Sequence, residues 1–266
     1  MKHFRKNIDQ RITRAIAKKG RLIIATSCMC LLTTHASADW GVSLNVDNEI
    51  GRYKQKDTDA FASLGLQYRG EKFNIDNKAL SYSLLETDKY AVEIIGKSNN
   101  GAIDPKDLKF FKGMDKRKAS LDLGARAMLK TKYGPLALEA TRDVYASKGF
   151  SADLKFGGIE PHADHWNGKR EFKVAGVAGV KYQNNKTADY YYGVKASETT
   201  ASRAAYKAAA TTTPYIGVES QLNLSKHFSF DAGLVYEKRD DAMRNSPLTN
   251  DKDYDVVANL GVTYWF

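Results

Sequence analysis

The residues best suited to acid–base or metal chemistry fall in one short stretch, His162-Ala163-Asp164-His165-Trp166. Two imidazoles three residues apart, with a carboxylate between them, could form a His/Asp couple or begin a transition-metal site. A stable metal centre needs a third protein ligand, and the spacing supplies none. The remaining histidine after residue 38, His227, closes Ser225-Lys226-His227 between two apolar runs and reads as part of a turn. Both cysteines, Cys28 and Cys30, precede Asp39, so the rest of the chain has no thiol for a nucleophile, a disulfide or a thiolate zinc site. A polar loop is the plainer reading of 162–166. No catalytic residue, cofactor or metal is expected, and the chain is not read as an enzyme.

The element that must position any other charged group is a β-strand, and it is clearest at the carboxyl end. Reading back from the terminus, Phe266, Tyr264, Val262, Leu260, Ala258 and Val256 make one apolar face, while the residues between them are mostly polar or small. Such period-two alternation marks a strand with different surroundings on its two faces. It recurs in Phe228, Phe230, Ala232, Leu234 and Tyr236, in Ile216, Val218, Leu222 and Leu224, in Phe172, Val174, Ala178, Val180 and Tyr182, and in Leu121, Leu123, Ala125, Ala127 and Leu129. No segment after residue 38 is apolar for long enough to cross a membrane as a helix, and the mean hydropathy is −0.49. A closed β-barrel escapes that test, because only alternate residues face lipid. The fold expected is all-β: a transmembrane, antiparallel, up-and-down barrel in the outer membrane, closing on Phe266. Phe266, Tyr264, Val262 and Leu260 then resemble the carboxyl-terminal signal that outer-membrane insertion machinery recognises.

Strands are expected near 41–46, 60–68, 72–77, 79–85, 89–96, 120–131, 135–144, 150–156, 171–182, 189–196, 215–224, 228–237 and 255–266. A bacterial barrel has an even number, so one of these thirteen pieces is misassigned or one strand is missed; twelve strands are favoured and fourteen come second. With Phe266 on the periplasmic side, 239–253 and 198–213 become external loops and 225–227 a periplasmic turn. The loop 158–170 is also read as external, although sidedness counted from the two ends conflicts between about 150 and 171. Within 98–118, Asp104-Pro105 suggests one helical turn with Leu108 and Phe111 on one face, covering the barrel mouth. Tyr190, Tyr191 and Tyr192 read as interfacial girdle, and Arg203 as solvated loop.

Charge supports export rather than nucleic-acid binding. The formal net charge is +10, yet residues 1–38 hold eight of the 41 basic residues and one of the 31 acidic ones, which leaves +3 on the rest. That leader has a basic stretch, an apolar run from Leu22 to Leu32 and a small-residue site, Ala36-Ser37-Ala38. These are the parts of a secretory signal, so 1–38 is expected to be a signal peptide and 39–266 the barrel.

The lumen-facing set includes Arg126, Lys130, Lys173 and Lys181 against Glu139, Asp143, Glu219, Asp231, Glu237 and Asp255. A Tyr133-Gly134 hairpin loop would set Lys130 opposite Ala137 and make Arg126 and Lys130 diagonal neighbours of Glu139, with Asp143 beside Arg126. Mixed signs indicate an internal ion-pair network in a narrow, filled barrel. A selective pore favours a ring of one sign.

The order of local motifs resembles the MipA/OmpV family of outer-membrane proteins. The stretches are Tyr68-Arg69-Gly70-Glu71-Lys72-Phe73, Gly113-Met114-Asp115 with Arg117, Gly134-Pro135-Leu136 followed by Asp143-Val144, Tyr191-Tyr192-Gly193-Val194, and Asn245-Ser246-Pro247-Leu248. One departure is Ala196-Ser197-Glu198-Thr199, where the family often has a Glu-Ala pair. The resemblance implies an outer-membrane barrel without catalytic residues. For one branch it implies a scaffold joining a lytic murein transglycosylase to a peptidoglycan synthase, and for others an adhesin or stress-response role. A small-solute channel is the alternative.

Overall fold

A computed structural model describes residues 39–50, 52–54, 59–77, 79–98, 103–105, 108–160 and 166–266. The leader and His162, Asp164 and His165 lie outside them. Twelve strands form one closed antiparallel barrel. They are β1 (Asp39–Ile50), β2 (Asp59–Arg69), β3 (Phe73–Asp76), β4 (Ala79–Glu86), β5 (Tyr90–Lys97), β6 (Asp122–Thr131), β7 (Gly134–Asp143), β8 (Phe150–Gly157), β9 (Glu171–Gln183), β10 (Thr211–Ser225), β11 (Phe228–Lys238) and β12 (Tyr254–Trp265). Each strand pairs with its sequence neighbours, and β1 closes on β12 from Gly41↔Trp265 to Ile50↔Val256. Among the described residues closure gives every strand a neighbour on each side, as a wall immersed in hydrocarbon requires.

The alternation carries over to the wall. Leu260, Phe172, Ile216, Leu234 and Leu123 are exposed on the outside, and so are Val42 and Leu44 of β1. Ser43, Glu93, Asp143, Glu237, Asp255 and Thr263 are buried toward the lumen. Aromatic rings collect at both rims, with Trp40, Tyr68 and Phe73 near the termini and Phe150, Tyr182, Tyr236 and Tyr254 at the other end.

Three sequence readings are corrected. The expected strand at 189–196 does not form: 189–192 are the last residues of helix α1 (Asn185–Tyr192), capped where the Asn184 side chain accepts from the Thr187 N–H at 3.1 Å, and 193–196 continue as loop. Its buried residues Ala188, Tyr191 and Tyr192 follow helical spacing, so Tyr191 and Tyr192 join a core rather than a girdle. Removing that false strand gives twelve and resolves the sidedness conflict: the β8–β9 connection 158–170 leaves the same end as both termini, not the long-loop end. Finally, Thr131 pairs with Gly134, so the hairpin loop is Lys132-Tyr133 and Lys130 faces Pro135 rather than Ala137. Gly134 sits at φ 124, which Gly adopts without strain.

Candidate functional site

The barrel has two unlike ends. At the long-loop end, segments from four connections fold into a hydrophobic plug of Tyr53, Ile103, Phe111, Met114, Ala188, Tyr191, Tyr192, Val194, Ala208, Met243 and Leu248. A lipid-facing barrel spends its apolar residues on its outside, so the loops supply this core instead. The expected helical turn forms at Lys109–Phe111, later than Asp104-Pro105, and Phe111 is fully buried, with Tyr53 edge-on at 6.0 Å. A second short helix, α2 (Asp241–Arg244), delivers Met243, and the Ser246 hydroxyl donates to the Tyr192 carbonyl at 2.6 Å.

Ions lock the plug. Arg117 donates to both oxygens of Glu198 at 3.0 and 2.9 Å, and both residues are buried. The N–H groups of Asp115 and Lys195 donate to the same carboxylate at 2.9 and 3.1 Å. Burial pushes the Glu198 carboxyl up, but Arg117 and those backbone donors outweigh it and hold it below the usual carboxylate value. Glu198 lies in the stretch that departs from the family pattern, and it makes a firm loop contact there. Arg203, read from sequence as solvated, is 1% exposed. It donates to the Glu198 carbonyl at 2.7 and 2.9 Å, to the Lys112 carbonyl at 3.2 Å and to the Phe110 carbonyl, so carbonyl dipoles compensate its charge. Burial, followed by the nearby Asp143 charge, raises the Tyr191 hydroxyl. On the outer surface of the plug, Lys116, Lys186, Lys195, Lys207, Tyr190 and Tyr206 line a groove of about 820 Å³.

Beneath the plug, Tyr192 and Met243 roof a lumen cavity of about 430 Å³. Charges of alternating sign ring it. Arg126 reaches Glu139 at 3.0 Å and Glu93 at 2.9 Å, and Lys97 also pairs with Glu139. Across the lumen, Lys181 pairs with Glu237, Arg52 lies 3.4 Å from Asp255, and Arg239 reaches Asp255 at 2.6 Å with both side chains fully buried. Sequence reasoning missed Lys97, Glu93 and Arg52. Lys97 and Glu93 have the inward parity of β5 and were readable from it, whereas Arg52 lies past the end of β1, where parity stops. Arg126 and Glu139 stand directly opposite each other. Lys130 does not meet Glu139; it binds Glu86 and Glu160, each at 2.6 Å. Asp143 makes no ion pair with Arg126 either. It accepts from the N–H groups of Leu121, Tyr145, Ala146 and Ser147 and so shapes the next loop.

The end bearing the termini is plainer. Four of its five connections are two or three residues long, and 158–170 is the exception. That loop leaves through Gly157 and Gly158, both at positive φ, and both of its roots are tethered. The Ile159 N–H donates to Glu219 at 2.9 Å, Glu160 takes Lys130, and Asn167 donates to Glu171 at 3.3 Å. Trp166 is half-buried, and Lys169 and Arg170 are exposed. At the same end, Phe266 is 72% exposed, its N–H donates to the Trp40 carbonyl at 2.8 Å, and its ring meets Tyr264 edge-on at 5.4 Å. Val262 pairs with Leu44 and Leu260 with Val46, so these four residues lie on the lipid face. His227, the one described histidine, bonds the Trp265 carbonyl through Nδ1 at 2.8 Å in its turn.

Residues 41–266 match the model of the family described as MltA-interacting protein MipA. The chain belongs to that family. Among its relatives, the outer membrane protein OmpV of Vibrio cholerae is 26% identical over 240 residues, covering 88% of each chain. The MltA-interacting protein of Escherichia coli K12 is 24% identical over 249 residues, covering 92% of this chain and 96% of that one. Of solved structures, the N-terminal β-barrel domain of Pseudomonas aeruginosa OprF aligns with a TM-score of 0.26 and 14% identity, over 85% of this chain and 97% of that domain. This MipA-family protein is an outer-membrane β-barrel. Three of its motif stretches, those around Met114, Tyr192 and Leu248, converge on the plug.

Proposed function

We propose that this MipA-family barrel is a non-catalytic outer-membrane scaffold that holds a murein-remodelling enzyme, a lytic transglycosylase, at its periplasmic end through the β8–β9 loop. Outer-membrane barrels pair short periplasmic turns with long external loops, so the end with the termini faces the periplasm. The observation that carries the reading is the position of 158–170, the one long connection at that end, held up at both roots by Glu219, Lys130 and Glu171. Trp166, followed in the chain by exposed Arg170, supplies the residue types enriched at protein interfaces. Because the family includes a relative named for interaction with a transglycosylase, the same partner class is the first to test here. A peptidoglycan synthase is the second partner of such a scaffold. A plugged mouth and a lumen laced with mixed-sign pairs support this reading over a small-solute channel.

The test is pull-down of a purified lytic transglycosylase by the refolded barrel, with 158–170 replaced by a short Gly/Ser linker. Binding should fall at least tenfold while heat-modifiable gel mobility is unchanged; full retention would overturn the reading. A second role, adhesion, is favoured by the cationic groove at the opposite end. Lys186→Glu with Lys207→Glu should then lower surface attachment and leave pull-down intact.

A further inference from the structure

The lipid face of the wall carries a cation where the alternation calls for an apolar side chain. Arg142, next to last in β7, is the one charged residue at an outward position of β6 to β9. Its neighbours across the sheet are Leu123 of β6 and Phe150 of β8, both exposed on the lipid face. Arg142 is itself exposed, and it stands at the long-loop end of the barrel. A guanidinium that leaves the wall among hydrocarbon chains extends its stem toward the headgroup layer, where an anion can meet its charge.

The loops above Arg142 add three exposed cations, Lys118, Lys148 and Lys186. Lys118 sits 5.0 Å from the centre of the Tyr145 ring and donates to its hydroxyl at 3.4 Å, while Lys148 donates to the Val144 carbonyl. Helix α1, which carries Lys186, is fastened on both sides of this patch. The Asn184 side chain accepts the Phe150 N–H at 3.1 Å, and the Tyr190 hydroxyl accepts the Lys118 N–H at 2.8 Å. The nearby carboxylates are committed elsewhere. Asp122 and Asp143 are buried on the lumen side, and Asp143 holds the N–H groups of Tyr145, Ala146 and Ser147. Asp115 pairs with Lys195 at 2.6 Å, and Asp189 takes the Ala208 N–H at 2.9 Å. Among the described residues, Arg142, Lys118, Lys148 and Lys186 have no acidic partner, so like charges are held together at the boundary between apolar wall and polar loops.

We propose that this patch binds an outer-leaflet lipid whose head carries two phosphates, with the acyl chains lying along Leu123 and Phe150. Position selects a lipid over a soluble anion, because Arg142 emerges between two lipid-facing side chains. Charge selects the head: four cations without an internal counterion exceed what the single charge of a phosphodiester can balance. The Arg142 fork matches two oxygens of one phosphate, and the lysines above it serve as point charges for the second. Tyr145, 56% exposed, puts an amphipathic ring at headgroup level, where such rings collect in barrels. This site stands apart from the docking loop, which lies at the other end. It shares Lys186 with the groove above the plug, so the test leaves Lys186 in place.

Native mass spectrometry of the refolded protein in a neutral detergent reads the binding, with hexa-acyl lipid A carrying both phosphates as the probe. One bound molecule per barrel is expected, roughly tenfold or more tighter than the same lipid stripped of its phosphates and than phosphatidylglycerol. Lys118→Ala with Arg142→Leu should weaken binding by a similar factor. Lys238→Leu removes the exposed outward cation at the end of β11, four strands away, and should change it by less than about twofold. Heat-modifiable gel mobility confirms the fold of each variant, and the comparison of lipids on the unaltered protein decides by itself if the double variant does not fold. Equal binding with and without phosphates would overturn the site, and so would equal losses in the double variant and Lys238→Leu. Equal binding of phosphatidylglycerol would show a general anionic-lipid surface and overturn the two-phosphate head.

Discussion

The two ends of this barrel solve opposite problems with the same chain. At the mouth, segments as far apart in sequence as those of Tyr53 and Leu248 close into a core around a buried ion pair, Arg117 with Glu198. At the end bearing the termini four turns are too short to build anything, and the one long connection, 158–170, is tethered at both described roots. The difference shows where a membrane barrel can build a water-excluding core and where it cannot. Lipid takes the apolar residues of the wall, so a water-excluding core has to be assembled from loops, and a loop left out of that core is free to meet a partner.

The sharpest way to break this contrast is to unpair the plug. Arg117→Met should destabilise the plug by about 3–5 kcal/mol, because it strands a buried carboxylate, whereas Arg117→Met with Glu198→Leu should recover most of the loss. Hydrogen exchange at α1 reads this directly, and barrel mobility on gels should not change. Equal exchange in the single and double variants would show that the pair contributes nothing specific. The same carboxylate makes the mouth acid-sensitive. Because Glu198 is held below its usual value when folded, its contribution is complete above the unfolded-chain value and is lost as pH falls through the lower folded one. Protection of α1 should therefore drop in acid below about pH 4, and Glu198→Gln should flatten that dependence.

A smaller effect is expected from Phe111→Ala, about 3 kcal/mol on the plug, since the lost ring leaves a cavity that loops can partly fill by relaxing. The lumen lies between the two ends in energy. Glu139→Leu removes a partner from Arg126 and from Lys97, but Arg126 keeps Glu93 and Lys97 is partly solvated. A thermal melt in micelles should show about 1–2 kcal/mol. A loss above 4 kcal/mol would mean that the lumen is as dry as the plug. At the other extreme, Trp166→Ala should change stability by less than about 0.5 kcal/mol while weakening transglycosylase pull-down. A large melting shift would place Trp166 in a structural role instead and erase the contrast between the ends.

The wall was legible in the sequence because its two surroundings, lipid and lumen, alternate with every residue, and period two is a local property. That is why Leu260, Phe230 and Ile216 could be assigned outward, and Arg126 and Glu139 inward, from spacing alone. The register was not local in the same way. Moving the hairpin loop from Lys132-Tyr133 to Tyr133-Gly134 shifts the pairing by two and leaves every side chain on its correct face, so alternation cannot distinguish the two. Sidedness failed for a related reason: 189–196 alternates well enough to pass for a strand, and one false strand reverses the end to which 158–170 belongs. Only tertiary structure decided that Tyr191 and Tyr192 lie on a helix, that Arg203 is buried beneath carbonyls rather than solvated, and that Arg117 meets Glu198. Those contacts join residues far apart in sequence with no period between them, and the free energy that selects them comes from exclusion of water at a place that exists only where the barrel brings four loops together.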